Sequence, residues 1–296
     1  MSQEAKTFFS KYIIISPVRD EGQYIEKTIR SVTSQTIKCM AWIIVDDGSK
    51  DRTREIIEEY RQEYSWIKLI SLLDRGRKRT DSGVIACFNE GYAIAEGIPF
   101  DFIVKLDGDL SFDSWYFEKI FEKFERNPKL GIAAGWVYDL IKRRPRPHHY
   151  PINHVRGCIK TYRRKCFQDI GGLLPTLAWD GIDEKKARMM GWETKSFEDL
   201  EVFHYRAMGS AGGILTRRLR DARGACLMGY HPLFMLGRCV LRMFIDRPYI
   251  IGGLTMLAGF IFYKSKGVKP INDQPLIEFI KDEQKKRIKA LRKTNV

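Results

Sequence analysis

Residues 102–109, FIVKLDGD, decide the fold. Phe102-Ile103-Val104 is a short apolar run that reads as a buried strand, and it ends in Asp107-Gly108-Asp109. The same pattern occurs upstream, where Trp42 to Val45 (WIIV) runs into Asp46-Asp47-Gly48-Ser49. Working outward, Tyr12 to Ser16 (YIIIS), ended by Pro17, and Ile67 to Leu72 read as two more strands. Glu21 to Thr33 reads as a helix with Tyr24, Ile25, Ile29 and Val32 on one face. Thr53 to Tyr64 reads as another, with Ser49 or Asp51 as its cap. Further helices are expected over Ser82–Ala95 and Phe112–Asn127. Strands alternating with helices imply an α/β fold, a mostly parallel sheet covered on both faces. Ligands of such sheets collect at the carboxyl ends of the strands. Asp47 and Asp109 occupy two of those ends, which joins them in one crevice.

Two carboxylates flanking a glycine at a strand end form a compact set of hard oxygen ligands. Such a set suits Mg²⁺ or Mn²⁺ carrying substrate phosphates; a solvated acidic turn is the alternative. Asp47 can accept a hydrogen bond from a nucleobase or ribose, or can cap the following helix with Asp46. Arg77, Lys78 and Arg79 suit a diphosphate, or form a solvated basic loop. Asp180, in WDGIDE just before a helix expected over Glu184–Met190, is either a general base or a helix cap. His204 follows the apolar run Leu200–Phe203 and is either a ligand or a structural histidine.

Beyond residue 130 the pattern loosens. Ile132–Tyr138 and Cys158–Tyr162 are expected strands, separated by the proline-broken loop RRPRPHHYP. Residues 142–165 hold nine Lys and Arg and no acid. With neither repeats nor a low-complexity linker, residues 1–209 are expected to form one domain and 210–296 an appendage.

The 296 residues, 44% hydrophobic, suffice for a large core, and the net charge of +14 favours anionic partners. Six cysteines without a CxxC pair or zinc spacing fit reduced thiols in a cytosolic setting. The N-terminus lacks a signal-peptide apolar region. Nucleic-acid binding is disfavoured: Asp46, Asp47, Asp107 and Asp109 would repel a phosphate backbone unless a metal were bound. A nucleotidyltransferase acting on sugar phosphates would need a glycine-rich phosphate loop near the first strand, and SPVRDEG is not one.

Over roughly residues 10–206 the chain resembles glycosyltransferase family 2, the inverting enzymes of the GT-A fold. The resemblance rests on an ordered set: SPVRDEGQYIEKTIRSVTSQT (16–36), VDDGSKDRT (45–53), FNEGYAIA (88–95), VKLDGD (104–109), YRRKCFQDIGGL (162–173) and WDGIDEKKARMMGW (179–192). It implies a nucleotide-sugar donor, UDP-linked first and GDP- or dTDP-linked as alternatives. It also implies Mg²⁺ or Mn²⁺, held by Asp109 and His204. By the same resemblance Pro17, Asp47, Arg79, Asp107 and Asp109 meet the donor, and Asp180 is the catalytic base. The family usually places a Glu before that base; here Trp179 precedes it.

The segment 229–263 is highly apolar but interrupted by Arg238, Arg242, Asp246 and Arg247, and residues 281–296 add seven Lys and Arg against two acids. This reads as interfacial or re-entrant helices on an anionic membrane surface, or as a helical cap or oligomer interface. RPYIIGG followed by LAGF resembles the tail of bacterial members that build exopolysaccharide or other surface glycans. The resemblance implies a glycan or polyprenyl-diphosphate-linked acceptor, with the protein peripheral or monotopic at the cytoplasmic membrane face.

Overall fold

The computed structural model describes residues 10–74, 81–141, 144–147, 150–206, 213–245 and 247–293. They form two compact units, Met1–Pro175 with Met190–Ala207, and Thr176–Met189 with Met208–Val296.

The first unit opens with β1 (Tyr12–Val18), α1 (Ile25–Thr33), β2 (Ala41–Asp46), α2 (Thr53–Glu63) and β3 (Ile67–Ser71). Then come α3 (Asp81–Ile94), β4 (Phe102–Leu106), the short β5 (Leu110–Phe112) and α4 (Tyr116–Arg126). β6 (Leu130–Ile141), β7 (Arg144–Pro147), β8 (Ile159–Arg163) and α5 (Arg164–Asp169) follow. The chain leaves for α6 (Trp179–Met189), part of the second unit, and returns as β9 (Glu193–His204).

The sheet has nine strands in the order β3-β2-β1-β4-β8-β6-β9-β5, with β7 paired to β6. Its first four strands are parallel. β8 then pairs antiparallel with β4 and β6, β9 runs parallel to β6, and β5 antiparallel to β9. The four apolar runs that anchor the sequence reading are the parallel half, and their residues are largely buried. β1 is buried at every position, and its first residue, Tyr12, meets α4, whose buried Tyr116, Phe117, Ile120, Phe121 and Phe124 recur at helical spacing. Phe117 and Phe121 sit 4.8 and 5.0 Å from the Tyr12 ring. Trp42 is buried with its indole N–H donated to Ser16 Oγ at 2.9 Å.

Several expected boundaries move. The helix expected from Phe112 starts at Tyr116, because residues 110–112 pair with β9. Part of the RRPRPHHYP loop is instead a strand: Arg144–Pro147 pairs with Tyr138–Ile141. Those prolines fit because, among the described residues, β7 pairs with β6 alone. β6 runs twelve residues, past both ends of the expected Ile132–Tyr138, and the apolar run Leu200–Phe203 is the end of a further twelve-residue strand, β9; the β6–β9 register slips between Gly135 and Trp136. A Cβ on Gly135 would lie 2.2 Å from the Leu200 carbonyl oxygen, so this close approach demands glycine.

The second unit adds α7 (Gly213–Leu227), α8 (Pro232–Ile245), α9 (Tyr249–Ser265) and α10 (Gln274–Lys293) to α6. One core gathers Ala222, Ala225 and Cys226 of α7, Met235 and Cys239 of α8, and Met256 and Phe260 of α9. A second joins Ile182 of α6 and Met228 to Leu276 and Ile280 of α10. α9 packs through glycines: a Cβ on Gly253 would lie 2.5 Å from the Cys239 carbonyl oxygen, and one on Gly259 2.9 Å from Leu219. Among the described residues no helix is long and apolar enough to cross a membrane.

Candidate active site

The β1–α1 loop and the turn after β2 are laced together. The Asp20 amide donates to Ser49 Oγ at 2.9 Å, Gly22 to Asp51 Oδ2 at 2.8 Å, and Glu21 to Thr53 Oγ1 at 2.7 Å. Asp20 takes a left-handed φ of 52°, which an Asp tolerates better than most side chains. The cap position of α2 is Arg52, whose side chain makes no cap bond, rather than Ser49 or Asp51; Asp51, one residue earlier, accepts the Thr53 amide on Oδ1 at 3.0 Å.

The two aspartates of the β2 turn separate cleanly. Asp46 is fully buried, accepts the Ser49 amide at 2.9 Å and pairs with Arg54 at 3.2 Å. It holds the turn. Asp47 is turned outward, with an 18%-exposed side chain 3.9 Å from Arg19 Nη1. Arg19 also bonds Asp74 at 2.9 Å. Pro17 stands beside Val45 in the β1–β2 register, one residue before the Val18–Asp46 pair. Arg79, with Arg77 and Lys78, lies outside the described residues.

At the end of β4, Asp107 and Asp109 also divide. Asp107 is partly exposed and paired with Lys105, which is buried and donates to the Gly157 carbonyl at 2.7 Å. Asp109 is 2% exposed, and His204 Nε2 lies 3.3 Å from its Oδ2. His204 stands opposite Leu110 across β5–β9 and opposite Asp139 across β6–β9. Its Nδ1 bonds Asp139 Oδ1 at 3.0 Å, and the same oxygen accepts Arg156 Nη1 at 2.9 Å. Burial opposes a charged imidazole, but the bonds to Asp109 and Asp139 outweigh it and raise its pKa from 6.5 to about 10. On the other side, Arg206 Nη2 bonds the buried Glu21 at 2.7 Å, and its Nε lies 4.0 Å from Asp109 Oδ2.

The donor set suits a hard divalent cation. Asp109 supplies oxygen, and His204 turns Nε2 toward it while Asp139 fixes Nδ1. A carboxylate behind the far ring nitrogen is the arrangement that orients a ligating imidazole. Among the described residues no group of three or more such side chains is disposed to hold a metal ion. Asp139 faces Nδ1, on the other side of the ring from Asp109, so the three do not converge. Two protein ligands are in keeping with Mg²⁺ or Mn²⁺, which keep waters and take phosphate oxygens from substrate.

The first unit thus brings Asp107, Asp109 and His204 together and fixes Pro17 and Asp47 at the neighbouring strand ends. Asp180 belongs to the second unit. There α6 begins at Trp179, earlier than the Glu184 expected, so Asp180 lies in its first turn. Asp180 is half-buried, whereas Asp183 and Glu184 are buried at 4% and 3% exposure. Missing from the sequence reading were Asp139, Arg156, Lys105 and Glu21. A charged residue inside an apolar run, as in WVYDLI and FIVKL, was the signal available for Asp139 and Lys105.

A four-strand parallel half, a mixed second half and acidic turns at the strand ends are the architecture of the GT-A fold. Solved structures share that fold. A mannosyltransferase from Pyrobaculum calidifontis in complex with GDP-Man and Mn²⁺ is similar with TM-score 0.54 at 14% identity, over 88% of this chain and 74% of that one. S. aureus TarS 1-349 in complex with UDP-GlcNAc is similar with TM-score 0.53 at 16% identity, over 85% and 71%. The family model for Glycosyl transferase family 2 matches residues 13–179, and the chain belongs to that family. Among curated relatives, poly-beta-1,6-N-acetyl-D-glucosamine synthase of Staphylococcus epidermidis is 24% identical over 232 residues, 69% of this chain and 52% of the relative. The chain therefore spans about half the length of that relative.

Proposed function

We propose that the protein transfers a sugar from a nucleotide-sugar donor to a hydroxyl of a glycan or lipid-linked acceptor, with inversion at the anomeric carbon and with Mg²⁺ or Mn²⁺ bound. The observation that carries this reading is the Asp109–His204 pair, braced by Asp139 at the end of β4. A divalent cation held by Asp109 and His204 would offset the charge developing on the leaving nucleoside diphosphate. Asp47 accepts a hydrogen bond from the base, and Asp107, anchored by Lys105, positions the ribose and sugar. Asp180 takes the proton of the acceptor hydroxyl. That oxygen bonds to the anomeric carbon as the bond to phosphate oxygen breaks, and the electron pair leaves with the nucleoside diphosphate. Relatives named as polysaccharide synthases support a role in surface or exopolysaccharide synthesis. The apolar, basic C-terminal helices support work at the cytoplasmic face of a membrane.

A screen of UDP-GlcNAc, other UDP-sugars and GDP-mannose with Mn²⁺ or Mg²⁺, with and without lipid extract, tests the reading. Nucleoside diphosphate should be released, and Asp109→Asn should abolish release while circular dichroism stays unchanged. Release of inorganic diphosphate, or full activity in D109N, would refute it.

A further inference from the structure

Helices α8 and α9 are apolar on two sides. Their inner sides, Met235, Cys239, Met256 and Phe260, fill the core shared with α7. Their outer sides are exposed. Leu233, Val240 and Phe244 recur at spacings of seven and four on α8, and Ile250, Leu254 and Ile261 at four and seven on α9. All six are exposed, Phe244 at 74% and Ile250 at 62%. Six large side chains in two stripes exceed the scattered apolar surface usual for a soluble protein.

We propose that this outer face of α8 and α9 docks into one leaflet of an anionic bilayer, with the chain monotopic. The inference rests on the proposed work at a membrane face and assigns it a surface, a depth and a lipid charge. Depth follows from length. Of the charge-free residues 248–263, Tyr249 to Tyr263 lie in α9, and fifteen helical residues measure about 22 Å. That is short of the ~30 Å hydrocarbon core, but ample for a helix seated among the acyl chains of one leaflet.

Lipid charge follows from the flanks. Arg247 precedes the apolar stretch, with its guanidinium 5.9 Å from the Tyr249 ring. Lys264 and Lys266 follow it, 5.5 and 5.8 Å from the Phe260 and Phe262 rings. Cations at both ends of an apolar helix, with the amphipathic rings of Tyr249 and Tyr263 beside them, match headgroups above acyl chains. Residues 222–272 hold seven Lys and Arg against one acid, Asp246. A second copy on the same face would set these positive charges against their like, whereas an anionic surface complements them.

The test is co-sedimentation of the full chain with vesicles of phosphatidylcholine, alone or with one quarter phosphatidylglycerol. Binding to the anionic vesicles should exceed binding to neutral ones by tenfold or more, and Ile250→Glu with Leu254→Glu should cut it by tenfold or more. Vesicle-dependent protection from hydrogen exchange over 244–262 in the unaltered protein gives a second readout that needs no variant. Equal binding by the variant, equal binding to both vesicle types, or a dimer that the variant converts to monomer would each overturn the proposal. Nucleoside-diphosphate release without lipid is measured in parallel. If it fails while vesicle binding holds, the catalytic reading falls and the docking surface stands.

Discussion

Replacing His204 with Gln should flatten the alkaline pH dependence of stability in the metal-free protein. In the fold the imidazole is held between Asp109 and Asp139 with its pKa raised from 6.5 to about 10. The folded state therefore binds the proton more tightly than the unfolded chain does. The resulting stabilisation is complete below pH 6.5 and is lost as pH rises toward 10. Each tenfold gain in proton affinity is worth about 1.36 kcal/mol, so the ceiling is on the order of 5 kcal/mol. With a urea dependence of about 3 kcal/mol per M, a loss of 3 kcal/mol lowers the unfolding midpoint by about 1 M. Urea titrations in EDTA at pH 6, 8 and 10 read this directly. The unaltered protein should lose roughly 1 M of midpoint across that range relative to H204Q, which removes background titration of other groups. Saturating Mn²⁺ should reduce or reverse the slope, since a ligating imidazole must be neutral. Parallel profiles in EDTA would mean that His204 carries no charge in the fold, and the charge balance assigned to the Asp109–His204–Asp139 row would be wrong.

Asp180→Asn should lower transfer by about 10²–10⁴-fold with donor binding retained, measured by turnover and by calorimetry with the nucleotide sugar. Equal turnover would move the base to Asp183 or Glu184. Asp139→Ala leaves the buried Arg156 without its carboxylate and should cost about 3–5 kcal/mol in denaturant unfolding, whereas Asp139→Asn, which keeps an acceptor oxygen, should cost less. Gly253→Ala drives a methyl to 2.4 Å from Met243 Cγ and 2.5 Å from a backbone oxygen, and should cost about 1–3 kcal/mol. Gly237→Ala on α8 meets nothing within 4 Å and should stabilise the helix by about 0.5–1 kcal/mol. A thermal melt that ranks these two glycine variants the other way contradicts the packing of α9 on α8.

β1, β2 and β4 of the parallel half were legible because they are buried along their whole length, so each appears as a largely apolar run, and β2 and β4 lead into acidic turns; β3 is only partly buried and its run, IKLIS, holds Lys68. α1 was legible from the periodicity of Ile25, Ile29 and Val32. The second half of the sheet was harder to read. β7 is built of arginine and proline, which carry no strand signal, and β5 is too short to show one. β9 alternates Glu193, Lys195 and Glu201 with buried residues, and that alternation is broken by the register slip at Gly135. Motif order singled out Asp107, Asp109 and His204, which the fold places near one another. Nothing in that order pointed to Asp139, which meets His204 across a strand pair 65 residues apart, or to Arg156, which lies in the loop before β8 and bonds Asp139. Asp46 and Asp47 looked equivalent as letters; one became buried scaffolding and the other a surface acceptor because successive residues of a strand end face opposite ways.

The excursion of the chain through α6 between β8 and β9 bears on the order of synthesis. His204 is translated about 95 residues after Asp109, roughly 5–20 s later at 5–20 residues per second. During that interval the parallel strands and both acidic turns have been synthesised, while the imidazole that joins Asp109 to Asp139 has not. A nascent chain halted before residue 190 has every strand of the parallel half and lacks the histidine, whatever its degree of folding. A translational pause shortly before β9 would therefore hold back the Asp109–His204 pair, and with it any cation that needs both ligands, without withholding a single strand of the parallel half.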